Sequence, residues 1–407
     1  MRVQGKRIWI AGQLMPAQLE IQNGTITEVL PYGSGKAELD WGELRVFPGF
    51  IDIHTHGAYG YDTNDGTPEG LKDWMRRIPQ EGVTSILPTT VTQMPDVLEQ
   101  AVANVAAVAR EMAAAEADAL GHAENAPAGG IPAGRPGVQG AEILGIHFEG
   151  PYLDMEYKGA QPPEAIAAPS VEQFCRYQEA AEGLIKYITL ASEHDPDWAL
   201  TRYCASHGVV VSMGHSNASY EDALMGAANG ASSMTHVYNA MSPYHHRRPG
   251  LVGAAFRLRD LYGELICDGC HSHLAAVNNL FAAKGRDHVI MVTDSLRAKH
   301  CPPGGSYQLG GHDIEIGEDG LARLAGTDTI AGSTLRMNKG LKILVEEAQV
   351  PLDAAVNSCT LNPARCLGVD GRKGRIAAGC DADLAVLDAD YETAETWCRG
   401  VRCWVRG

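Results

Sequence analysis

The first 48 residues alternate apolar and polar positions in the manner of β-strands. The run LEIQNGTITEV, residues 19–29, keeps this alternation on both sides of Asn23-Gly24. Asn-Gly between alternating runs is the strongest short signal for a two-residue hairpin turn. The N-terminal segment is therefore predicted to be all-β.

The C-terminal segment has the same character. Residues 383–387 and 396–405 resemble short strands, and the second run turns near Arg399-Gly400. Neither chain end can bury a sheet face alone. We therefore predict one small β-sandwich domain built from both chain termini, residues 1–48 plus 368–407, around a second domain at 49–367.

Between the chain ends, short β-branched runs alternate with helical patterns, which predicts repeated βα units and a parallel sheet. Eight runs are predicted to be strands: Phe50–Ile53, Ser85–Pro88, Leu144–Phe148, Ile185–Leu190, Val209–Ser212, Ser232–Thr235, Leu265–Cys267 and His288–Val292. Eight parallel strands with helices between them favour an α/β fold of the (β/α)8 TIM-barrel type, and an open doubly wound sheet is the alternative. The segment 112–139 breaks this rhythm and is expected to be a mobile surface insertion.

The composition and charge of the chain make some classes of partner unexpected. The chain has 407 residues, 45% hydrophobic, and 33 Lys+Arg against 50 Asp+Glu give a formal charge of −17. This charge makes nucleic-acid partners unexpected. No stretch approaches the ~20 apolar residues of a membrane span, and no signal peptide is recognised, so a cytoplasmic protein without a membrane partner is expected. Its ten cysteines are expected to be reduced.

The residues that follow the predicted strands are rich in metal ligands, and barrel enzymes place their chemistry at this end of the strands. His54 and His56 are two apart on one strand, so both imidazoles face one side. Glu149, His215 and His236 supply a carboxylate and two imidazoles, a ligand set typical of catalytic zinc that leaves one position for water. Asp294 follows the last strand and is predicted to act as the acid/base for that water.

Each of these residues also has an ordinary structural explanation, as a buried histidine bonded to a carbonyl or a carboxylate capping a helix. Their joint occurrence at one end of the strands favours the metal site. Two rival motifs are weaker. Cys267-Asp-Gly-Cys270-His271 fits a haem-attachment pattern but lies at a predicted strand end. Strand four carries no lysine at its carboxyl end, where hydantoinase-like enzymes bridge two metals through a carboxylated lysine.

Several segments together resemble the amidohydrolase superfamily and, within it, the N-acetylglucosamine-6-phosphate deacetylase family. The matching segments are PGFIDIHTHG (48–57), GIHFEGP (145–151), SMGHSNA (212–218), THVYNAM (235–241), RRPG (247–250), DGCH (268–271), VTD (292–294) and AGS (331–333). The resemblance implies a (β/α)8 barrel with a terminal β-sandwich. It also implies hydrolysis of the sugar's acetamide to acetate and glucosamine 6-phosphate.

The resemblance extends to single residues. It implies that Glu149, His215 and His236 hold the principal metal and that Asp294 is the acid/base. It implies a homodimer in which Arg247 acts across the interface, with Asn239 and Ala240 offering backbone N–H groups to the phosphate. The residues expected to contact the sugar phosphate are Ala160, Gln161, Asn239, Ala240, Arg247, His271, Ile330, Ala331 and Gly332.

Three departures from the family pattern shape the expectation. The pair His54 and His56, absent from some members, implies a second ion bridged by Glu149. Gln161 stands where some members have a histidine that polarises the acetyl carbonyl, and Arg248 stands where a glutamate is common. The N/O ligands suit Zn, Fe, Mn or Co. The N-acetylgalactosamine epimer, another amide substrate and a metal-binding but inert protein remain alternatives.

Overall fold

The structure is a computed structural model that describes residues 1–124, 134–302, 305–317 and 320–407. Within these ranges the strands, in chain order, are β1 (Arg2–Ile10), β2 (Gln13–Gln22), β3 (Thr25–Pro31), β4 (Leu39–Asp40), β5 (Arg45–Pro48), β6 (Phe50–Thr55), β7 (Gly57–Ala58), β8 (Tyr61–Asp62), β9 (Val83–Thr90), β10 (Glu142–Ile143), β11 (Ile146–Glu149), β12 (Ile185–Leu190), β13 (Val210–Met213), β14 (Ala231–Met234), β15 (Tyr262–Ile266), β16 (Val289–Val292), β17 (Ser306–Leu309), β18 (His312–Ile316), β19 (Ala322–Leu324), β20 (Leu384–Leu387), β21 (Thr393–Cys398) and β22 (Val401–Val405).

The α-helices of the same ranges are α1 (Pro68–Arg77), α2 (Pro95–Glu124), α3 (Val171–Ala180), α4 (Ala199–Ser206), α5 (Tyr220–Ala228), α6 (Gly250–Arg257), α7 (Leu274–Lys284), α8 (Met337–Lys342), α9 (Leu352–Cys359) and α10 (Leu361–Cys366). Short 3-10 turns lie at Thr63–Asp65, Ile78–Glu81, Pro163–Ala165, Ser192–His194 and Pro196–Trp198, and a π-helical turn at Ile343–Glu347 continues α8.

Strands from both chain ends pair in one terminal sheet, as predicted, and the bounds of the β-sandwich domain stay a prediction. The strands of this sheet follow the order β22-β21-β20-β5-β1-β2-β3, with β4 beside β1. Asn23 and Gly24 join β2 to β3 with φ of 47° and 76°, and Arg399 and Gly400 join β21 to β22 with φ of 46° and 76°. Positive φ at both central positions is the requirement of a type I′ hairpin turn. Both predicted turns are confirmed.

The eight predicted central strands are all present and form a parallel sheet in the order β6-β9-β11-β12-β13-β14-β15-β16, with β10 added beside β9. Hydrogen bonds connect its first and last strands. The Asp294 N–H donates to the His54 carbonyl over 2.8 Å, and the Thr293 hydroxyl donates to Asp52 Oδ2 over 2.6 Å. These contacts bring the sheet round into a barrel, which confirms the (β/α)8 class.

Successive side chains of the barrel strands point to opposite faces. Leu265 and Met291 belong to one buried cluster, and their neighbours Ile266 and Val292 belong to a second. Ile266 also lines the cavity at the mouth of the barrel, so the second cluster lies inside it. Because β5 ends at Pro48 and β6 begins at Phe50, we propose the boundary between the two domains there.

A three-stranded antiparallel sheet, β17-β18-β19, follows the last barrel strand. The sequence analysis did not predict it. Leu309, at the end of β17, lines the cavity at the barrel mouth, so this small sheet covers part of the opening.

The predicted insertion at 112–139 is structured at both of its described ends. Helix α2 continues to Glu124, and the Arg135 N–H donates to the Arg399 carbonyl over 2.9 Å, which fastens that end to the terminal sheet. Residues 125–133 lie outside the described part of the chain. The expected mobility of the insertion stays a prediction.

The described residues contain neither a membrane-spanning helix nor a disulfide bond. None of the helices they form is long and apolar enough to cross a membrane. All ten cysteines lie in the described ranges, and none of them is in a disulfide.

Candidate metal centre

The predicted ligands meet where the parallel strands end. His54 and His56 lie at the end of β6, Glu149 ends β11, and His215, His236 and Asp294 follow β13, β14 and β16. We call these six residues the carboxylate–histidine cluster. They lie beside a cavity of about 370 Å³ at the barrel mouth. Topology alone explains the assembly, because the carboxyl ends of all barrel strands share one rim.

Three of these residues form a nearly equilateral triangle of donor atoms. Glu149 Oε1 lies 3.3 Å from His215 Nε2 and 3.3 Å from His236 Nε2, and the two nitrogens are 3.2 Å apart. Ligands at about 2.0–2.1 Å from a tetrahedral zinc are separated by ~3.3 Å, so the spacing fits three ligands on one face of such an ion.

The histidine pair of β6 forms a second group. His56 Nε2 lies 3.1 Å from Asp294 Oδ1, and His54 Nε2 lies 3.7 Å from the same oxygen. Glu149 stands between the two groups, with Oε1 3.3 Å from His54 Nε2 and Oε2 3.4 Å from His56 Nε2. The Glu149 carboxylate is therefore close enough to contribute an oxygen to both groups of ligands.

Two unpartnered atoms indicate that the carboxylate–histidine cluster fits a cation. Glu149 Oε1 and His54 Nε2 are buried and have no hydrogen-bond partner. A buried polar atom without a partner is costly, and a bound cation is a standard way to satisfy it. Burial would raise the pKa of the Glu149 carboxyl, but the imidazoles of His54 and His215 hold it well below its usual range. Glu149 is thus in the ionised form that a metal requires.

The outer ring nitrogen of each histidine is fixed by an oxygen. The four Nδ1 contacts are to Glu264 Oε2 from His54 (2.8 Å), to the Thr89 carbonyl from His56 (3.2 Å), to the Tyr157 carbonyl from His215 (2.9 Å) and to the Asn239 carbonyl from His236 (3.1 Å). Each Nδ1–H donates outward, which leaves the Nε2 lone pair facing the cluster.

His147, two residues before Glu149, is not a ligand in this arrangement. Its Nδ1 donates to the Ile53 carbonyl over 3.1 Å, and its Nε2 accepts from the Thr189 hydroxyl over 2.8 Å. Burial lowers the pKa of His147 well below its usual value, so the ring is neutral. His147 is therefore a buried histidine with both ring nitrogens hydrogen-bonded, and its role is structural.

The loops that carry the cluster are strained. His215, His236, Ala240 and Asp294 all have positive φ, between 26° and 49°. Such backbone is costly for residues with a Cβ and is concentrated at functional sites. After His215, a capping box begins α5: the Asp222 N–H donates to Ser219 Oγ, and the Ser219 N–H donates back to Asp222 Oδ2.

Asp294 is ionised despite its burial. Burial would raise the pKa of its carboxyl, but His54 and His56 lower it to about 2. It lies on the lining of the cavity with His56 and Glu149. A carboxylate in this position is able to accept a proton from a group bound in the cavity.

Most of the residues predicted to contact substrate lie on the same cavity. Its lining includes Ala160, Gln161, Asn239, Ala240, His271, Ile330 and Gly332. Ala331 is buried behind them, with its N–H donating to the Ala322 carbonyl.

Gln161 is held by the cluster itself. Its Nε2 donates to Glu149 Oε2 over 2.7 Å, and its Oε1 accepts from the Thr92 N–H over 2.8 Å. The Asn239 main-chain N–H donates to the His236 carbonyl, so the donor that Asn239 offers is the buried side-chain Nδ2, which has no partner. His271 Nδ1 lies 2.6 Å from Asp268 Oδ2.

Arg247 does not lie on this cavity within one chain. It lines a neighbouring cavity of about 460 Å³ together with Ser219, His245 and Arg248. Tyr157 lines both cavities, so the two adjoin at the barrel rim.

Sequence analysis missed Glu264 and Tyr157, which hold two of the histidine rings. Glu264 carried a usable signal, because it is the one charged residue in the buried strand YGELI, but the predicted strand began at Leu265. The Tyr157 contact is made by a main-chain carbonyl, so the identity of the residue gave no signal.

The rival motifs are not supported by their surroundings. Cys267 is buried, which raises the pKa of its thiol well above the usual value, and His271 pairs with Asp268. Lys186 on β12 is exposed and is the second residue of its strand, far from the carboxyl end.

Comparison with known proteins agrees with this geometry. A model of the amidohydrolase family matches residues 45–403. The N-acetylglucosamine-6-phosphate deacetylase of Bacillus subtilis (strain 168) is 42% identical over 357 residues, which cover 87% of this chain and 83% of that protein. The N-acetylgalactosamine-6-phosphate deacetylase of Escherichia coli O157:H7 is 31% identical over 96% of this chain and 95% of its own length.

A solved structure is similar over the whole molecule. It is that of an N-acetyl-D-glucosamine-6-phosphate deacetylase mutant from Mycobacterium smegmatis in complex with N-acetyl-D-glucosamine-6-phosphate. It aligns with a TM-score of 0.88 at 30% identity and covers 99% of both chains. Because the family model spans the whole barrel and the strands β5, β20 and β21 of the terminal sheet, the chain belongs to the amidohydrolase family.

Proposed function

We infer that this chain is a deacetylase that hydrolyses the acetamide of N-acetylglucosamine 6-phosphate to acetate and glucosamine 6-phosphate. The observation that carries the inference is the triangle of Glu149, His215 and His236, set beside ionised Asp294 on a cavity of about 370 Å³. The similarity to the Bacillus subtilis deacetylase supports the substrate.

We propose that Glu149, His215 and His236 would hold one divalent ion and that His54 and His56 would hold a second, with the Glu149 carboxylate close enough to contribute to both. Zn, Fe, Mn and Co all suit these N/O ligands. A bound ion would supply Lewis acidity to the acetyl carbonyl and lower the pKa of a water molecule. The chain's part is to keep Glu149 ionised and all four Nε2 atoms directed inward.

Asp294 is the proposed acid/base. Its carboxylate accepts a proton from the attacking water as the water oxygen forms a bond to the acetyl carbon. When the C–N bond breaks, the same proton passes to the departing amine nitrogen. Asp294 is ionised at neutral pH, as acceptance of this proton requires.

The cavity supplies the proposed substrate contacts. Gln161 is anchored on Glu149 and Thr92, so its amide group is a fixed neutral donor near the acetyl group. Asn239 lines the cavity, and its buried Nδ2 has no hydrogen-bond partner in the protein. Asp268 raises the pKa of His271 against the opposing effect of burial, which favours an imidazolium that binds sugar or phosphate oxygens.

We propose a homodimer in which Arg247 reaches the phosphate held by its partner subunit. Arg247 lies outside its own chain's cavity but beside it, as an interface residue should. Guanidinium groups bind phosphate through paired N–H donors, which compensates for the chain's net negative charge. Zinc as the native ion and a cytoplasmic location also stay predictions.

The deciding experiment measures acetate release from N-acetylglucosamine 6-phosphate, from its galactosamine epimer and from unphosphorylated N-acetylglucosamine. Each substrate is given to metal-loaded protein and to chelator-stripped protein. Fast, metal-dependent release from the first substrate alone is expected. Release from the epimer would keep the mechanism and change the specificity, and no release from any of them would refute the proposed function.

A mixing experiment tests the place of Arg247. Arg247→Ala lacks the phosphate contact, and Asp294→Asn lacks the acid/base, so each homodimer is expected to be poorly active. Hybrid dimers contain one site with both groups intact if Arg247 acts across the interface. Recovery of activity on mixing supports that arrangement, whereas mixtures no more active than the average of the two homodimers contradict it.

A further inference from the structure

Glu264 is a fully buried carboxylate beneath the carboxylate–histidine cluster. Its Oε2 lies 2.8 Å from His54 Nδ1 and accepts the main-chain N–H of His236 over 3.3 Å. Its own carbonyl accepts the Val237 N–H over 2.8 Å. One residue of β15 therefore holds a ring from β6 and the backbone that follows β14.

The first contact decides which nitrogen of His54 faces the cluster. A carboxylate accepts and does not donate, so the ring must carry its proton on Nδ1. In the neutral ring the lone pair is then on Nε2, which faces Glu149 Oε1 at 3.3 Å. Without Glu264, both neutral tautomers of His54 become available.

The second contact supports a strained backbone. His236 has a φ of 26°, far from the regions that residues with a Cβ ordinarily adopt. Hydrogen bonds to Glu264 from His236 and Val237 hold this segment, and His236 Nε2 is one corner of the donor triangle. Glu264 thus connects the two proposed ion sites.

A positive charge beside Glu264 can come from the His54 ring, 2.8 Å away. Among the hydrogen bonds and ion pairs of the described residues, Glu264 is joined to no lysine or arginine. The other groups near it are neutral His147, Tyr187 and Cys366, and its second oxygen, Oε1, has no hydrogen-bond partner. The positive charge that balances this carboxylate has to come through the cluster.

We propose that Glu264 is a positioning residue that couples the two ion sites: it fixes the His54 ring for the second ion and the His236 backbone for the first. This inference rests on the proposed metal-dependent function. It makes the occupancy of the second site depend on a residue that touches neither ion nor substrate.

The test compares Glu264→Gln with Glu264→Met, which have similar size. Gln keeps an oxygen that accepts from His54, whereas Met removes the acceptor. Chelator-stripped proteins are titrated with Co²⁺ and followed by the visible absorption of the bound ion, with stoichiometry checked by elemental analysis. His54→Ala is the reference for loss of the second site.

Wild type is expected to bind two Co²⁺ ions. Glu264→Gln should still bind two, with affinity reduced ~10–100-fold, as for other residues that orient metal ligands. Glu264→Met should bind one ion, as His54→Ala does, but more weakly than that variant, because the His236 N–H also loses its acceptor. Circular dichroism and thermal melting of the stripped proteins establish that each variant is folded.

The outcomes separate the two proposals. Binding of two ions by Glu264→Met with wild-type affinity overturns the role of Glu264. If that variant does not fold, unchanged affinity in Glu264→Gln overturns it instead. A wild-type protein that binds no Co²⁺ refutes the metal-dependent function itself, on which this inference rests.

Discussion

Two buried clusters of charged residues in the described part of the chain balance their charges differently. At the barrel mouth lies the carboxylate–histidine cluster. Beside the terminal sheet lies a second one, here called the terminal ion cluster, formed by Glu142, Arg372, Lys373, Asp381, Asp383 and Arg399. Both lie largely away from solvent.

The terminal ion cluster is satisfied by the protein. Lys373 Nζ lies 2.6 Å from Asp383, 2.7 Å from Glu142 and 2.9 Å from Asp381. The carboxylate–histidine cluster surrounds Glu149 with imidazoles, and Glu149 Oε1 has no hydrogen bond. Burial of acidic groups therefore does not itself indicate function. A buried acidic group whose charge and hydrogen bonds the chain does not fully satisfy does indicate function, because it requires a cation from outside the chain.

The largest effect is expected from Asp294→Asn. The amide has nearly the same shape but does not accept the proton of the attacking water, so kcat for acetate release should fall ~10²–10⁴-fold. Metal content and thermal melting should stay close to those of wild type. A kcat near the wild-type value would contradict the assigned role.

Lys373→Met should damage stability and leave the chemistry alone. Removing the cation leaves three carboxylates with two arginines and takes away the cationic partner of buried Asp383, which is expected to cost about 3–5 kcal/mol of unfolding free energy. Denaturant unfolding measures the loss. Lys6→Met is the matched control, because Lys6 pairs with Glu43 on the surface with half of its side chain exposed, and little change is expected there. Equal effects of the two substitutions would refute the distinction.

His54→Ala should reduce the bound metal from two ions to one. His54 and His56 are the only histidines proposed for the second site, whereas the donor triangle of the first site keeps all three atoms. Elemental analysis of the purified variant measures the ratio. Unchanged metal content would show that the second site does not exist.

The smallest effect concerns pH. Burial opposes ionisation of Glu142 and Asp381, but Lys373 and its arginine neighbours lower the pKa of both. Their stabilisation is therefore complete above the ordinary values of 4.5 and 3.8 and declines as pH falls through the lower folded-state values. Between about pH 6 and about pH 3, wild-type Tm should fall more steeply than that of Lys373→Met. Parallel curves would contradict this.

Local signals in the sequence predicted most of the fold. The Asn23-Gly24 and Arg399-Gly400 turns, the eight barrel strands and the union of the chain ends all follow from periodicity and turn chemistry. The sheet β17-β18-β19 was missed because its strands are short and half-exposed, which weakens their alternation. The three-dimensional pairing of such strands leaves little trace in the chain.

The candidate site was predictable where ligands directly follow strands. Glu149, His215 and His236 were identifiable because a barrel brings strand ends to one rim. The residues that orient them were not, since Glu264 acts from a neighbouring strand and Tyr157 through its backbone. Such contacts depend on packing between segments that are distant in the sequence.

The pairing of β5 with β20 has a consequence for synthesis of the chain on the ribosome. Strand β5 (residues 45–48) cannot pair with β20 until residues 384–387 have been synthesised. The nascent chain therefore carries an unpaired edge of β5 for almost its whole translation. Open edges invite pairing with other chains, and distant partners slow folding. Because all eight barrel strands are translated before β20, this edge stays open throughout synthesis of the barrel and is paired only after residues 384–387 have been made.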